Sequence, residues 1–158
     1  MPTRMIQIAF ARHAKSDWAD SSLDDHERPL NARGLRDAPE VARRLMRQGV
    51  RPEVVLTSTA LRARTTAEMF AAVFGAELRE DGELYNAAAD TLLAAALASG
   101  VEEVMVVAHD PGMSAVVSAL SGQDVRMTTA AVAVFTWESA GLDEIGATPP
   151  DTFELTTP

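Results

Sequence analysis

The chain has 158 residues, enough for one domain with a buried core, and its 47% apolar and 23% charged residues are ordinary for a globular protein. A net charge of −9 disfavours nonspecific nucleic-acid binding. No apolar run reaches the roughly 18 residues that a membrane span needs. With no cysteine and no signal-peptide pattern in Met1–Arg12, we expect a cytoplasmic protein without disulfides or thiolate-bound metal.

The charge is unevenly distributed along the chain. Residues 1–64 hold twelve Lys/Arg and eight Asp/Glu, whereas residues 65–158 hold two Lys/Arg and fifteen Asp/Glu. If the protein binds an anion, the first segment therefore has to supply most of the positive charge. A solvated basic helix around Arg43, Arg44 and Arg47 accounts for part of this asymmetry.

In the first third of the chain, a β-rich apolar stretch predicts a buried strand over residues 6–11, followed by a polar loop from 12 to 29. Asn31 is placed to cap a helix that continues to Gln48. Pro39 predicts that this helix is kinked, or becomes regular only after that point.

Further along, the pattern predicts a strand over 53–57, a helix over 61–74, a helix over 90–99, a strand over 104–108 and a helix beginning near Pro111. Two late strands are predicted over 131–137 and 152–156. Alternating strands and helices indicate an α/β fold, and we expect a single domain spanning 1–158 whose sheet is covered by helices on both faces, a three-layer α/β/α sandwich.

Three of the predicted strands end in polar side chains that a purely structural role explains poorly. These side chains are Arg12 and His13, then Ser58 with Arg62 one helical turn later, and finally His109. In open α/β sheets, binding sites form beyond the carboxyl ends of the strands. If the strands are parallel, two histidines and two arginines meet in one crevice.

These residue types suit phosphoryl transfer. Arginine binds phosphate oxygens bidentately, a histidine nitrogen can attack phosphorus, and a second histidine can bind the anion. No metal is needed if arginines and a protonated histidine supply the positive charge. Taken singly, Arg12 and His13 could be loop surface, His109 a core histidine and Arg62 an ordinary helix arginine, so their joint placement carries the hypothesis.

The chain resembles the histidine phosphatase superfamily and, within it, the small SixA-type phosphohistidine phosphatases. The matching stretches occur in the family order and are 12–16, 28–34, 57–67, 83–87 and 107–111. The resemblance implies a phosphoglycerate mutase-like fold with a mostly parallel sheet. Ala14 stands where the wider superfamily has glycine, which points to the small-phosphatase branch.

The resemblance also implies roles for individual residues. Arg12, His13, Arg62 and His109 would form a phosphate pocket in which His13 becomes phosphorylated. Glu83 stands where phosphomonoesterases of the superfamily place a proton donor, and it either serves as that acid or fixes the loop beneath the pocket.

Further residues near these stretches are weaker candidates. Ser16 could add a phosphate hydrogen bond, and Lys15 and Arg28 could attract an acidic partner, although loop cations are commonly just solvated. We expect His26 to lie on the surface and Trp18 to be an exposed aromatic at the rim.

Three functions are therefore open. The first is a phosphatase acting on phosphohistidine in a protein, favoured because the short segments between the motifs leave no long insertion to form a lid. The second is a phosphomonoesterase acting on a small metabolite or sugar phosphate. The third is a phosphate-binding module without turnover, which the intact histidine and arginine set disfavours. Phosphate or sulfate is the expected occupant, and we expect no cofactor, metal, nucleic-acid or membrane partner.

Overall fold

The computed structural model describes residues 5–158, and its strands and helices alternate along most of the chain. The predicted absence of a signal-peptide pattern concerns Met1–Arg12, and the first four of these residues lie outside the described residues. The strands are β1 (Ile6–Arg12), β2 (Val54–Thr57), β3 (Glu77–Glu80), β4 (Glu103–Ala108), β5 (Val132–Trp137) and β6 (Thr152–Thr156). The α-helices are α1 (Ala32–Arg47), α2 (Leu61–Phe74), α3 (Ala89–Leu97) and α4 (Gly112–Ser121).

The strands form one sheet in the order β3-β2-β4-β1-β5-β6. The pairs β3–β2, β2–β4 and β4–β1 are parallel, whereas β5 runs antiparallel to both β1 and β6. The carboxyl ends of β1, β2 and β4 therefore meet at one edge of the sheet. The predicted α/β fold with a mostly parallel central sheet is confirmed.

Helices bury apolar side chains on both faces of the sheet. One core contains Leu92 and Ala96 of α3 together with Met113 and Val117 of α4. The other contains buried residues of α1 and α2, including Val41, Leu45, Ala63, Ala67 and Phe70. Two cores separated by one sheet confirm the three-layer arrangement. Among the described residues, none of the helices has the length and apolarity of a membrane span.

The edge strand β3 is absent from the expectations drawn from the sequence. Its residues, Glu77, Leu78, Arg79 and Glu80, are mostly exposed and pair only with β2. Charged side chains are common on edge strands because they oppose pairing with other chains, and they also remove the hydrophobic signal of a strand.

The expectation that α1 becomes regular only after Pro39 is wrong. The helix is continuous from Ala32, and the Asn31 side chain accepts a hydrogen bond from Gly34 N–H at 2.9 Å, which confirms the predicted cap. Proline removes the N–H that would bond to the carbonyl of Leu35. Leu35 is 47% exposed, so water can reach that region of the helix.

The first turn of α1 packs directly on the loop that follows β1. A Cβ atom added at Gly34 would lie 2.2 Å from the backbone oxygen of Lys15, much closer than real Cβ contacts. The Lys15 carbonyl also accepts the Asn31 N–H at 3.0 Å. Glycine at position 34 is thus required by a backbone contact.

We predict that Gly34→Ala destabilises the protein by about 1–3 kcal/mol because the backbone of Lys15 must move. In open space the same change inside a helix would stabilise by roughly 1 kcal/mol, so the sign of the effect tests the contact. Urea unfolding of both proteins measures the change in the free energy of unfolding. Gly146→Ala, in a turn, is the control for adding a methyl group in open space, since no atom of the described residues lies within 4 Å of the added Cβ there. A Gly34→Ala protein as stable as the wild type would contradict the prediction.

Candidate active site

The two candidate histidines lie beside each other at the carboxyl ends of neighbouring parallel strands. In the β1–β4 pair, Arg12 lies opposite Ala108, so His13 and His109 each follow the last paired residue. The His13 N–H donates to the Ala108 carbonyl at 3.1 Å. The centroids of the two imidazole rings are 5.2 Å apart. The strand register therefore brings both rings into one site.

The hydrogen bonding of His13 shows which of its ring nitrogens carries the proton. Its Nδ1 lies 2.8 Å from the carbonyl oxygen of Ala14. A carbonyl oxygen only accepts hydrogen bonds, so Nδ1 carries the proton and the lone pair of the neutral ring is on Nε2. His13 is only 6% exposed, so this tautomer is held in a largely desolvated environment.

A threonine of α2 connects the His13 loop to the helix that carries Arg62. The Ala14 N–H donates to Thr66 Oγ1 at 3.0 Å, and the same hydroxyl donates to the Arg62 carbonyl at 2.8 Å. Arg62 lies in the first turn of α2 and is 4% exposed. The His13 loop and this arginine are therefore fixed relative to each other by one buried side chain.

His109 is held by the residue that follows β2. Its Nε2 lies 2.7 Å from Ser58 Oγ, which also accepts the Ala60 N–H at 3.1 Å. The hydroxyl can donate to Nε2, and a neutral His109 then keeps its proton on Nδ1. The ring of Tyr85 packs edge-on against His109 with centroids 5.5 Å apart.

Three arginines surround these histidines, and protein groups hold their terminal nitrogens. Arg12 Nη1 donates to the Met127 carbonyl at 2.9 Å and lies 3.8 Å from Asp110 Oδ2. Arg28, one of the weaker substrate-binding candidates, is 7% exposed and donates to the buried Ser16 hydroxyl. Burial is the main cause that lowers the pKa of His13, and the charges of all three arginines lower it further.

Asp25 binds two of these arginines at once, a role that the sequence did not indicate. Arg62 donates to its backbone oxygen at 2.6 Å and to its carboxylate at 2.9 Å, and Arg28 donates to the carboxylate at 3.0 Å. Tyr85 Oη donates to the same carboxylate at 2.6 Å. These bonds hold the pKa of Asp25 well below its usual range, with the tyrosine bond the largest cause.

Two further candidates from the sequence, Lys15 and Glu83, differ in their exposure to solvent. Lys15 is half-buried, and its backbone carries the contacts to α1. Glu83 is exposed in a short 3-10 turn, where it lines a surface depression with Asp81 and residues of α3. Its role as a general acid stays a prediction.

Two aromatic candidates from the same loop region differ in exposure. Trp18 is 70% exposed, and its ring lies 3.5 Å from the Arg28 guanidinium carbon. The expectation that His26 is a plain surface residue is wrong. It is half-buried, its Nε2 lies 2.8 Å from Thr59 Oγ1, and its ring packs against Tyr85.

Burial makes both catalytic candidates poor proton acceptors. It lowers the pKa of His13 to about 4, and burial together with the neighbouring His13 and Arg62 lowers the pKa of His109 to about 3. Both rings are therefore neutral near pH 7, and the three arginines alone carry the positive charge. A bound phosphoryl dianion adds negative charge and shifts both values upward.

Buried side-chain atoms without a hydrogen-bond partner are concentrated in this site. Among the described residues they are the Nε atoms of Arg12, Arg28 and Arg62, and Nδ1 of His109. Unpartnered buried polar groups are costly, and native structures hold few of them. Their confinement to one group of residues is typical of a site built to bind an anion. Within residues 5–158, no group of three His, Cys, Asp or Glu has an arrangement that could hold a metal ion.

Asp25, Tyr85 and Thr66 are the site residues that sequence reasoning missed. Tyr85 and Thr66 fall inside stretches of family resemblance, but nothing in their spacing indicates a contact. Asp25 is one of five consecutive polar residues, 24–28, and only the folded loop distinguishes it from its acidic neighbours.

Comparisons with known proteins agree with the fold and the site. An uncharacterized chloroplastic protein of Arabidopsis thaliana is 31% identical over 152 residues, covering 85% of this chain and 70% of the relative. An uncharacterized Mycobacterium tuberculosis protein is 36% identical over 121 residues, covering 73% of this chain and 75% of the relative.

Three solved structures are also similar. A crystal structure from Agrobacterium tumefaciens, described as a candidate phosphohistidine phosphatase SixA, is 30% identical with a TM-score of 0.79, covering 99% of this chain and 97% of the other. A protein histidine phosphatase SixA complexed with tungstate is 27% identical with a TM-score of 0.74, covering 84% and 89%. A mycobacterial glucosyl-3-phosphoglycerate phosphatase, at 17% identity, a TM-score of 0.66 and coverage of 96% and 98%, shares the fold.

The sheet order and the paired histidines define an α/β protein of the phosphoglycerate mutase-like type. The family model of the histidine phosphatase superfamily (branch 1) matches residues 8–93, more than half of the chain, and the protein belongs to that superfamily. The resemblance to the SixA-type branch is confirmed by the structural neighbours.

The lowered histidine pKa values predict a loss of stability in mild acid. In the unfolded chain these rings take up protons near pH 6.5, whereas in the folded protein they stay neutral down to about pH 4. The unfolded state therefore binds more protons between these limits, and the free energy of unfolding falls as the pH is lowered through this window. Urea unfolding at pH 7, 6 and 5 measures the slope. His109→Gln, which cannot titrate, should reduce it, and an unchanged slope would contradict the assignment.

Proposed function

We propose that the protein is a phosphatase that forms a covalent phosphohistidine on His13 and acts on phosphohistidine in a protein. One observation carries the covalent route. The Nδ1 proton of His13 is committed to the Ala14 carbonyl, which leaves the Nε2 lone pair available in a ring that stays neutral at pH 7. A neutral imidazole held in one tautomer among guanidinium groups is the arrangement that nucleophilic attack on phosphorus requires.

The reaction has two steps in this proposal. Nε2 of His13 attacks phosphorus, the bond from phosphorus to the substrate imidazole breaks, and the departing nitrogen takes a proton from solvent. Water then attacks the phosphorylated His13, a phosphorus–oxygen bond forms as the bond to Nε2 breaks, and phosphate leaves with the neutral ring restored. Arg12, Arg28 and Arg62 bind the phosphoryl oxygens and stabilise their charge in both steps.

Smaller roles are proposed for the neighbouring residues. His109 Nδ1, buried and without a partner among the described residues, is the proposed donor to a phosphoryl oxygen. In this proposal Ser16, whose hydroxyl contacts Arg28, and Lys15 of the same loop support the anion. A tetrahedral oxyanion such as phosphate or sulfate is the expected occupant, and one similar SixA structure was obtained with tungstate.

Support for a protein substrate comes from two sources. The two solved structures of 27–30% identity are described as SixA phosphohistidine phosphatases. The connections that follow β2 and β4 at this edge, 58–60 and 109–111, are also short, so only the longer segment 13–31 after β1 is available to close over a small metabolite. A small phosphate ester is the alternative substrate, because the fold also occurs in a glucosyl-3-phosphoglycerate phosphatase.

Three further expectations belong to this proposal. We propose that residues 1–158 act as one histidine phosphatase domain, that the protein works in the cytoplasm, and that turnover needs no metal ion. Full activity in the presence of EDTA is the expected result for the last of these. Activity that is lost in EDTA and restored by a divalent cation would overturn it.

We predict that His13→Ala abolishes phosphoenzyme formation and turnover while the protein stays folded, because the substitution removes one side-chain hydrogen bond, to the adjacent Ala14 carbonyl, and leaves the backbone bond to Ala108 in place. Rapid quench with radiolabelled phosphohistidine, followed by mapping of the acid-labile label, tests this. His109→Ala should still form some phosphoenzyme, with a rate lower by about 10²–10³-fold.

His26→Gln is the matched control, because His26 is the remaining histidine of the chain. This variant should still be labelled on His13. Label mapped to any residue other than His13, or full activity of His13→Ala, would refute the covalent route.

We predict that Glu83→Gln separates the two substrate classes. An alkoxide leaving group needs a general acid, so if Glu83 serves as that acid, turnover of small phosphate esters falls by up to roughly 10²–10⁴-fold. With phosphohistidine the leaving group is an imidazole, so turnover of this substrate should fall much less. Parallel kcat/KM measurements on phosphohistidine and on ester substrates give the comparison. Equal losses on both substrates would assign Glu83 a structural role. Asp90→Asn controls for a general change in charge, because Asp90 is exposed on the same depression and does not cap the turn of Glu83.

A further inference from the structure

Asp25 is the point at which three parts of the site are joined. It lies on a 3-10 turn, Asp25–Glu27, in the segment between β1 and α1. Its carboxylate accepts hydrogen bonds from Arg28 of the same segment, from Arg62 of α2 and from Tyr85. Tyr85 in turn packs its ring on His109, which follows β4.

The burial of these side chains shows how they are layered. The Arg62 and Arg28 side chains are 5% and 8% exposed, whereas that of Asp25 is 47% exposed. The carboxylate therefore lies on the solvent side of two guanidinium groups and covers them. The Asp25 backbone carbonyl adds a further bond to Arg62, so the turn as a whole is docked on this arginine.

We propose that Asp25 is a positioning residue that holds Arg62 and Arg28 in the orientation that binds the phosphoryl group, with Tyr85 anchoring the carboxylate. This inference rests on the proposed phosphatase function and names a component of the same site. Asp25 acts through the arginines and does not contact the reacting atoms.

An opposite role is conceivable for the same contacts, in which the carboxylate competes with phosphate for the arginines. The number of N–H groups on the arginines favours the positioning role of Asp25 over competition with phosphate. Each guanidinium has five N–H groups, and Arg62 uses one from each terminal nitrogen on Asp25. Its Nε and the remaining N–H groups are left over, and Arg12 makes no bond to Asp25 among the hydrogen bonds of the described residues. A phosphoryl group can therefore be bound while Asp25 stays in place.

The ionised state of Asp25 also excludes a role as proton donor. Hydrogen bonds from Tyr85 and the two arginines keep its pKa far below neutrality, so it has no proton to give at pH 7. What the carboxylate supplies is a fixed negative charge and the direction of its bonds.

Asp25→Asn tests the proposal because it keeps the size of the side chain and removes its charge. We expect kcat/KM on phosphohistidine to fall by roughly 10–10²-fold, since small misplacements of binding groups cost this much. Binding of inorganic phosphate, measured by calorimetry, should weaken. Asp25→Glu keeps the charge and should restore part of both losses. Tighter phosphate binding by Asp25→Asn would overturn the proposal and indicate a competing carboxylate.

Two comparisons separate positioning from a general structural effect. Asp24→Asn is the matched control, because the Asp24 side chain is exposed and makes no capping bond, and it should behave as the wild type. Tyr85→Phe keeps the ring on His109 and removes the bond to Asp25, so we expect a smaller loss in the same direction. Combined with Asp25→Asn it should add little, since both act through one contact. Fully additive losses would contradict the anchor role of Tyr85.

The outcomes also distinguish this inference from the proposed function. A wild-type protein that neither turns over phosphohistidine nor binds phosphate would contradict the function itself. An active wild type with an equally active Asp25→Asn variant would contradict only the positioning role. Thermal unfolding of each variant, with a midpoint within a few degrees of the wild type, confirms that the measured losses arise in a folded site.

Discussion

The site depends first on the register between β1 and β4. Their parallel ladder extends one residue past the end of β1, where the His13 N–H bonds to the Ala108 carbonyl, and this bond fixes His13 beside the residue that follows Ala108. A slip of one residue would turn the side chains of β1 to the opposite face of the sheet and separate the rings. The other elements refine this placement: Ser58 holds His109, and Thr66 ties the His13 loop to Arg62.

A second constraint is the cost of burying charge. Arg28 and Arg62 are almost fully buried in an acidic protein, and desolvated cations are stable only when paired and hydrogen-bonded. Asp25 is shared by both, and Asp110 lies near Arg12. Three arginines and two carboxylates leave one net positive charge when both histidines are neutral. The pocket is thus prepared for an anion without a large excess of unpaired charge in its absence.

Much of the fold was predictable from the sequence because burial leaves a periodic signal. The apolar runs of β1, β4 and β5 and the helical period of α4 identified those elements, and parallel strand ends indicated where His13, Arg62 and His109 would lie. β3 was missed because an edge strand buries little and carries charge. Asp25 was missed for a different reason, since its contacts join residues up to 60 positions apart and depend on how a polar loop folds. The burial of Arg28 could not be predicted either, because it depends on how the same loop folds.

The supply of protons bears directly on the choice of substrate. Around His13 the ionisable groups are poorly suited to protonate a leaving group. Asp25 is held ionised, and Tyr85 donates its hydrogen bond to Asp25, which raises the pKa of the phenol. Both histidines are neutral at pH 7 because burial lowers their pKa values. An ester oxygen leaves slowly without an acid, whereas an imidazole nitrogen can depart and take a proton from water. This shortage of proton donors is the reason that the proposed function has a phosphorus–nitrogen bond as its target, and in the same proposal efficient ester hydrolysis would require the exposed Glu83 to reach the leaving group.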